Sequence, residues 1–279
     1  NRKDLIGECL KSALNQTYLN FEIIVYDNFS SDGTWELLQK ITRDDERIKI
    51  FRQDKNVGPV RNWHSAISKA NGEFLKILFS DDLIYPQFLE KTVDKFSKDV
   101  GFVTTSFDIG PNLSQTAVMN DWVEVDGLIE SSRYIDRALS WFAFLVSPGA
   151  ALFRTVDVLD VFEEEIPSPR LTDFQSHGAG PDLLIFLKIA KKYAYIYKIN
   201  QSFTLFRSHS DSQTNKMNNS RDGLIQSSYM QTRVYFAETS APKLWSKMLG
   251  KALFVELFQN NNIELIPIKR LVSAYSTKK

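Results

Sequence analysis

Two adjacent carboxylates, Asp81 and Asp82, end an apolar run, Phe74-Leu-Lys-Ile-Leu-Phe79. Burying such a pair is costly unless something cationic neutralises it. Hard oxygen ligands of this kind suit Mg²⁺ or Mn²⁺ bound together with substrate phosphates. Two more carboxylates stand where apolar segments meet loops. Asp27 follows Phe21-Glu-Ile-Ile-Val-Tyr26, and Asp182 opens a helical run after a loop rich in Gly and Pro. A helix N-terminus favours the ionised carboxylate, which is the form a general base must start from. Each position also has a plainer reading. Asp and Ser cap helices, Asp after a strand forms turns, and a histidine on a polar loop, such as His209, is ordinarily solvated.

The elements that would position these groups follow from hydrophobic spacing. Leu5, Ile6, Cys9, Leu10, Ala13 and Leu14 recur at helical intervals. Strand-like runs at 21–26, 48–52 and 74–79 alternate with helices from Trp35 and from Pro59, the second stopped by Gly72. Helix and strand in alternation predict an α/β domain: a mostly parallel sheet flanked by helices. Parallel neighbours would bring Asp27, Asp81 and Asp82 to one sheet edge, where open α/β sheets hold ligands. Beyond residue 99 the pattern predicts strands at 100–107, 122–125 and 150–153. It also predicts a helix over 131–146, a long loop over 163–181, a helix from Asp182 and two short strands within 193–206. The last third reads as helices near 220–238, 242–259 and 266–276.

Composition narrows the function class. Lys plus Arg and Asp plus Glu balance at 34 each, so no global basic field argues for nucleic acid. The single cysteine, Cys9, rules out an intramolecular disulfide and a cysteine-based zinc cluster, and it reads as a small core residue. No apolar run approaches the roughly 20 residues that span a bilayer, and no signal peptide is visible. A soluble, cytoplasmic protein is expected.

Several short motifs occur in a fixed order: Asp27-Asn-Phe-Ser-Ser-Asp-Gly-Thr34, Asn56-Val-Gly58, Arg61-Asn62, Gly72-Glu73, Ser80-Asp-Asp82, Pro181-Asp-Leu183 and Arg207-Ser-His209. Together they resemble the successive motifs of the family-two glycosyltransferases of the GT-A fold, over roughly residues 1–215. The resemblance implies a GT-A domain over 1–215, with a nucleotide-binding half (1–107) and an acceptor-binding half (108–215), followed by a helical extension over 216–279. It also implies that the first strand of the family pattern, central in the sheet, precedes the point at which this sequence begins.

By the same resemblance the reaction is metal-dependent and inverting, of hexosyltransferase type, from a UDP-sugar or other nucleotide-sugar to an acceptor hydroxyl, in bacterial polysaccharide or glycoconjugate synthesis. Asp82 would ligate Mn²⁺ or Mg²⁺, with His209 completing the shell and Asp81 touching ribose or the metal's water. Asp27 would accept a hydrogen bond from the base. Asn56, Gly58 and Arg61 would line the nucleotide, Arg207 would meet the diphosphate, and Asp182 would be the base, with Asp173 as the fallback. Pro181 departs from the Glu common in the family. Two other readings stay open: a nucleotidyltransferase, whose Gly-rich phosphate loop is not visible, and a non-catalytic sugar- or partner-binding descendant. The acceptor is a saccharide or lipid-linked saccharide. For the C-terminal helices the sequence leaves open docking on the catalytic domain, a homo-oligomer, or peripheral contact with the inner face of a membrane.

Overall fold

The protein is described by a computed structural model covering residues 1–119, 126–140, 147–167, 174–209, 224–245 and 248. Helix α1 (Lys3–Leu14) buries Ile6, Cys9, Leu10 and Ala13, one stripe of an amphipathic helix. Strand β1 (Ile23–Asp27), helix α2 (Thr34–Ile41) and strand β2 (Ile48–Arg52) form a parallel crossover unit in which Ile23 pairs with Ile48 and Asp27 with Arg52. Asp32 ties the helices together: one carboxylate oxygen accepts from the Thr34 N–H at 3.0 Å and the other from the Lys3 N–H at 3.1 Å. Helix α3 (Pro59–Ile67) then starts on its proline, whose fixed φ suits a first turn.

A larger sheet follows, built from β3 (Phe74–Leu75), β4 (Leu83–Ile84), β5 (Val100–Asn112), β6 (Gln115–Met119), β7 (Gly127–Glu130), β8 (Ala151–Arg154) and β9 (Tyr195–Arg207). Its order is β3-β8-β5-β9-β4, with β6 hydrogen-bonded to β5 and β7 to β9. Four further helices pack around it before the last: α4 (Phe88–Val93), α5 (Ser131–Leu139), α6 (Thr155–Val161) and α7 (Pro181–Lys192). The expected α/β architecture is present, with a mixed sheet. β1–β2 and β5–β9 run parallel, and the other pairs described are antiparallel.

Two strand expectations change. The run 74–79 pairs only at Phe74 and Leu75, against β8. Just beyond these paired residues the Lys76 ammonium donates to the Gly149 carbonyl and lies 4.4 Å from the centre of the Phe88 ring. Residues 193–206 give one long strand, β9, instead of two. It stays beside β5 by absorbing register shifts, as bulged strands do.

Among the described residues no ladder joins the β1–β2 pair to the larger sheet. A cavity lies between Ile23–Tyr26 on one side and Phe74–Phe79 on the other. Helix α1 bridges the two parts, since its cluster with Leu38 also packs on Val25, Ile50 and Leu78.

The main core lies on the other face of the large sheet. Phe102, Phe153 and Phe186 meet with centroids 4.9 to 5.8 Å apart, mostly edge to face, and Tyr134 joins them. Helix α7 buries nine of its twelve residues, so its near-continuous apolar sequence follows from being enclosed on all sides. Helix α8 (Leu224–Ser240) adds Met230, Val234, Phe236 and Ala237 to this core. The expected boundary at residue 215, the strand at 122–125 and the aromatic residues Trp141, Phe142 and Phe144 lie outside the described residues. Among the described residues no helix is long and apolar enough to cross a membrane. Phe186→Ala should cost about 3–5 kcal/mol, measured by urea unfolding, because the aromatic cluster cannot collapse into the space left.

Candidate active site

The cavity between the two sheets collects the candidate groups. Asn28, Asn56, Asp81 and Asp82 line it together with Arg2 and Arg207, and His177, Asp182 and Tyr229 also face it. The Asp81–Asp82 turn is closed by the Asp82 N–H donating to the Phe79 carbonyl at 3.0 Å. One Asp82 oxygen accepts from the backbone N–H of Arg207 at 3.0 Å. The Asp81 carboxylate meets the Arg2 guanidinium at 3.3 Å and His209 Nε2 at 3.2 Å. Burial, with the neighbouring Asp81 charge, pushes the Asp82 carboxyl from its ordinary 3.8 up to about 7. Burial likewise pulls Lys76 down to about 7.

A divalent cation fits this end of the cavity in a restricted sense. Asp82 is a mostly buried acid beside a second acid, and an added positive charge would relieve both. Among the described residues no group of three or more His, Cys, Asp or Glu side chains could hold a metal ion unaided. The donor set therefore suits an ion of the Mg²⁺ or Mn²⁺ type that takes one or two carboxylates from protein and the rest from phosphates and water.

The structure gives four of the expected nucleotide and diphosphate residues partners within the protein. The Asp27 side chain is 2% exposed, paired with Arg52 at 3.2 Å, and it accepts the Ser30 N–H at 3.0 Å; it does not line the cavity. Its neighbour Asn28 does, since successive residues leaving a strand point to opposite sides. The Asn28 amide donates to Asn56 Oδ1 at 2.9 Å and accepts the Val57 N–H at 2.9 Å. Arg61 turns away to an acidic loop, 3.3 Å from Glu164 and 3.1 Å from Glu165. Arg207 is committed within the protein. Its guanidinium donates to the Asp81 carbonyl, to Glu8 at 2.6 Å and to the Leu5 carbonyl at 3.0 Å. Gly58 lines the cavity at φ +82°, and a Cβ there would stand 2.5 Å from the Gln175 carbonyl oxygen, so its lack of a side chain serves loop packing.

Asp182 sits at the start of α7, after Gly180 and Pro181. One carboxylate oxygen accepts the N–H groups of Gly180 at 2.8 Å and Leu183 at 2.7 Å. The other accepts the Tyr229 hydroxyl at 2.8 Å. Burial raises this carboxyl to about 6, and the hydrogen bonds pull against that rise. An acid of this kind is ionised at neutral pH yet basic enough to take a proton. Asp173 lies outside the described residues. Sequence reasoning missed Asn28 and Tyr229. Period-two alternation past Asp27 could have found the first, but no local signal marks the second, which lies 47 residues from its partner.

Comparison with known proteins gives the family and the fold. Residues 1–161 match the family described as Glycosyl transferase family 2. A GalNAc(5)-diNAcBac-PP-undecaprenol beta-1,3-glucosyltransferase from Campylobacter jejuni is 36% identical over 104 residues, covering 37% of this chain and 34% of that protein. A chondroitin synthase from Pasteurella multocida is 31% identical over 127 residues, 44% of this chain and 13% of that one. The chain thus spans about a third of the Campylobacter relative's length and less of the synthase. In fold it is similar to S. aureus TarS 1–349 in complex with UDP-GlcNAc, with TM-score 0.64, 17% identity, and 98% and 76% of the two chains covered. It is also similar to the mannosyltransferase PcManGT from Pyrobaculum calidifontis in complex with GDP-Man and Mn²⁺, with TM-score 0.54, 15% identity, and 91% and 72% covered.

The raised Asp82 carboxyl has a stability consequence in metal-free protein. Its folded-state value lies above its ordinary one, so the folded chain holds the extra proton between 3.8 and about 7, and stability falls as pH rises through that window. Asp82→Asn removes that cost while keeping an acceptor for the Arg207 N–H. By calorimetry in chelator, the variant should melt a few degrees above wild type near about pH 8 and level with it near about pH 4.

Proposed function

Glycosyl transferase family 2 is the family to which this chain belongs, and from that premise we propose that it moves a sugar, with inversion, from a nucleoside diphosphate donor to an acceptor hydroxyl. The observation that carries this reading is the placement of Asp82 and Asp182 on one cavity, both buried and both with raised carboxyl values, with the Asp81 carboxylate beside the first. The Asp81–Asp82 pair has the charge to hold a metal–diphosphate, and Asp182 has the basicity to activate a hydroxyl.

In this scheme Asp82, with Asp81 and His209, holds the divalent cation. When bound, that ion neutralises charge on the departing diphosphate. Asn28 and Asn56 stand at the β1–β2 end of the cavity and supply amide donors and acceptors to the nucleoside. Asp182 takes the proton of the acceptor hydroxyl as its oxygen bonds to the anomeric carbon from the face opposite the diphosphate. The bond from that carbon to the phosphate oxygen breaks, its electron pair leaving with the diphosphate. Arg207 holds the Asp81–Asp82 turn in place. A UDP-sugar is the proposed donor, supported by the UDP-GlcNAc carried by the TarS neighbour. A lipid-linked saccharide is the proposed acceptor, supported by the undecaprenol-linked substrate in the Campylobacter relative's name. Bacterial polysaccharide or glycoconjugate synthesis is the proposed setting.

Titration calorimetry with UDP, with and without Mn²⁺, tests the donor end. Wild type should bind UDP in a Mn²⁺-dependent way, and Asp82→Ala should weaken binding by at least about tenfold, or about 1.4 kcal/mol. Absence of binding of UDP, GDP and dTDP to folded protein would overturn the proposal. Asp182→Asn should keep UDP affinity and lower turnover of a competent donor by roughly 10²–10⁴-fold.

A further inference from the structure

Helix α8 lies outside the segment that matches the family, yet it reaches the centre of the site. Its position against the turn that opens α7 is close. A Cβ on Gly180 would stand 2.6 Å from Thr232 Oγ1 and 2.8 Å from the Phe174 ring, so only glycine lets the helix approach this far. That approach brings the Tyr229 hydroxyl to Asp182 at 2.8 Å. The tyrosine is itself held, because the Arg233 guanidinium lies 6.0 Å from its ring centre and Arg233 Nε donates to the Ala138 carbonyl at 2.6 Å.

We propose that Tyr229 is a positioning residue for Asp182, so that helix α8 sets the orientation and proton affinity of the group that activates the acceptor. The catalytic part of this inference rests on the reading of Asp182 as the base. With one carboxylate oxygen pinned by two backbone N–H groups, the tyrosine hydroxyl is the third point that stops the carboxylate from rotating. It leaves the second oxygen with a free lone-pair direction for the acceptor hydroxyl. A hydroxyl donated to a carboxylate also favours its ionised form. Among the described residues the titratable groups that act on Asp182 are Tyr229 and Arg233 from α8, and His177 from the preceding loop lines the same cavity. Burial and the Asp182 charge hold Tyr229 protonated, so it acts as donor throughout the useful pH range.

The first readout needs no donor sugar. The Asp182 carboxyl carbon is followed by NMR against pH in the full metal-free chain, its signal assigned by its loss in Asp182→Asn. Tyr229→Phe should move the Asp182 midpoint up by roughly one unit, a tenfold change in proton affinity. A ring-difluorinated tyrosine at position 229, nearly isosteric and a stronger donor, should move it down, and it keeps the question open to measurement should the phenylalanine variant fail to fold. In UDP-GlcNAc turnover with Mn²⁺, the acid limb should shift in the same direction in each variant, with kcat lowered in Tyr229→Phe and KM for the donor within about twofold. A midpoint unmoved by either replacement in folded protein overturns the inference and leaves the transferase reading intact. Turnover that survives Asp182→Asn overturns the base itself, and with it the catalytic role given to Tyr229.

Discussion

The site depends on the way Arg207 is spent. Its backbone N–H holds Asp82, and its guanidinium holds the Asp81 carbonyl, the Leu5 carbonyl and Glu8. A nearly buried guanidinium with its donors distributed in this way is a fastener. It locks the acidic turn to the end of β9 and to helix α1. Because α1 is also the element that packs on both the β1–β2 unit and the stretch around Leu78, one side chain ties the floor of the cavity to the two parts that form its walls.

Around that frame the two acidic centres are tuned differently. Asp82 is raised by burial and by a like charge beside it, a state that favours an added cation. Asp182 is equally withdrawn from water but receives donors on both oxygens, so its proton affinity settles lower. Two carboxylates of one chain thereby differ through their surroundings alone, in the direction that the proposed division between metal–diphosphate and proton transfer requires.

Of the places the sequence leaves open for the helices after residue 215, helix α8 takes the one docked on the rest of the chain. Val234, Phe236 and Ala237 belong to the same core as Leu183 and Phe186, and the helix reaches Asp182 through Tyr229. Stability of the main core and geometry of the site are therefore coupled through α7, which is enclosed on all sides and begins at the catalytic candidate.

Much of this was legible in order of residues. Alternating helices and strands, the acidic pair after an apolar run, and a carboxylate behind Gly-Pro at a helix start are local patterns, and local patterns survive in sequence because backbone sterics and burial period impose them. Family membership was readable for the same reason, as a series of short motifs at set spacing. What sequence alone could not decide were long-range pairings. Whether Asp27 or Asn28 faced the cavity turned on which side of β1 was already paired to Arg52. Arg207 looked like a phosphate ligand until Glu8, about two hundred residues away, was found holding it. Lys76 sits just past the paired residues of β3 with its ammonium on the Gly149 carbonyl, a partner 73 residues away. Tyr229 carried no motif at all, and only the docking of α8 against Gly180 brought it to Asp182. Each of these depends on the choice of partner for a charge or a hydroxyl, and that choice exists only once the chain has closed.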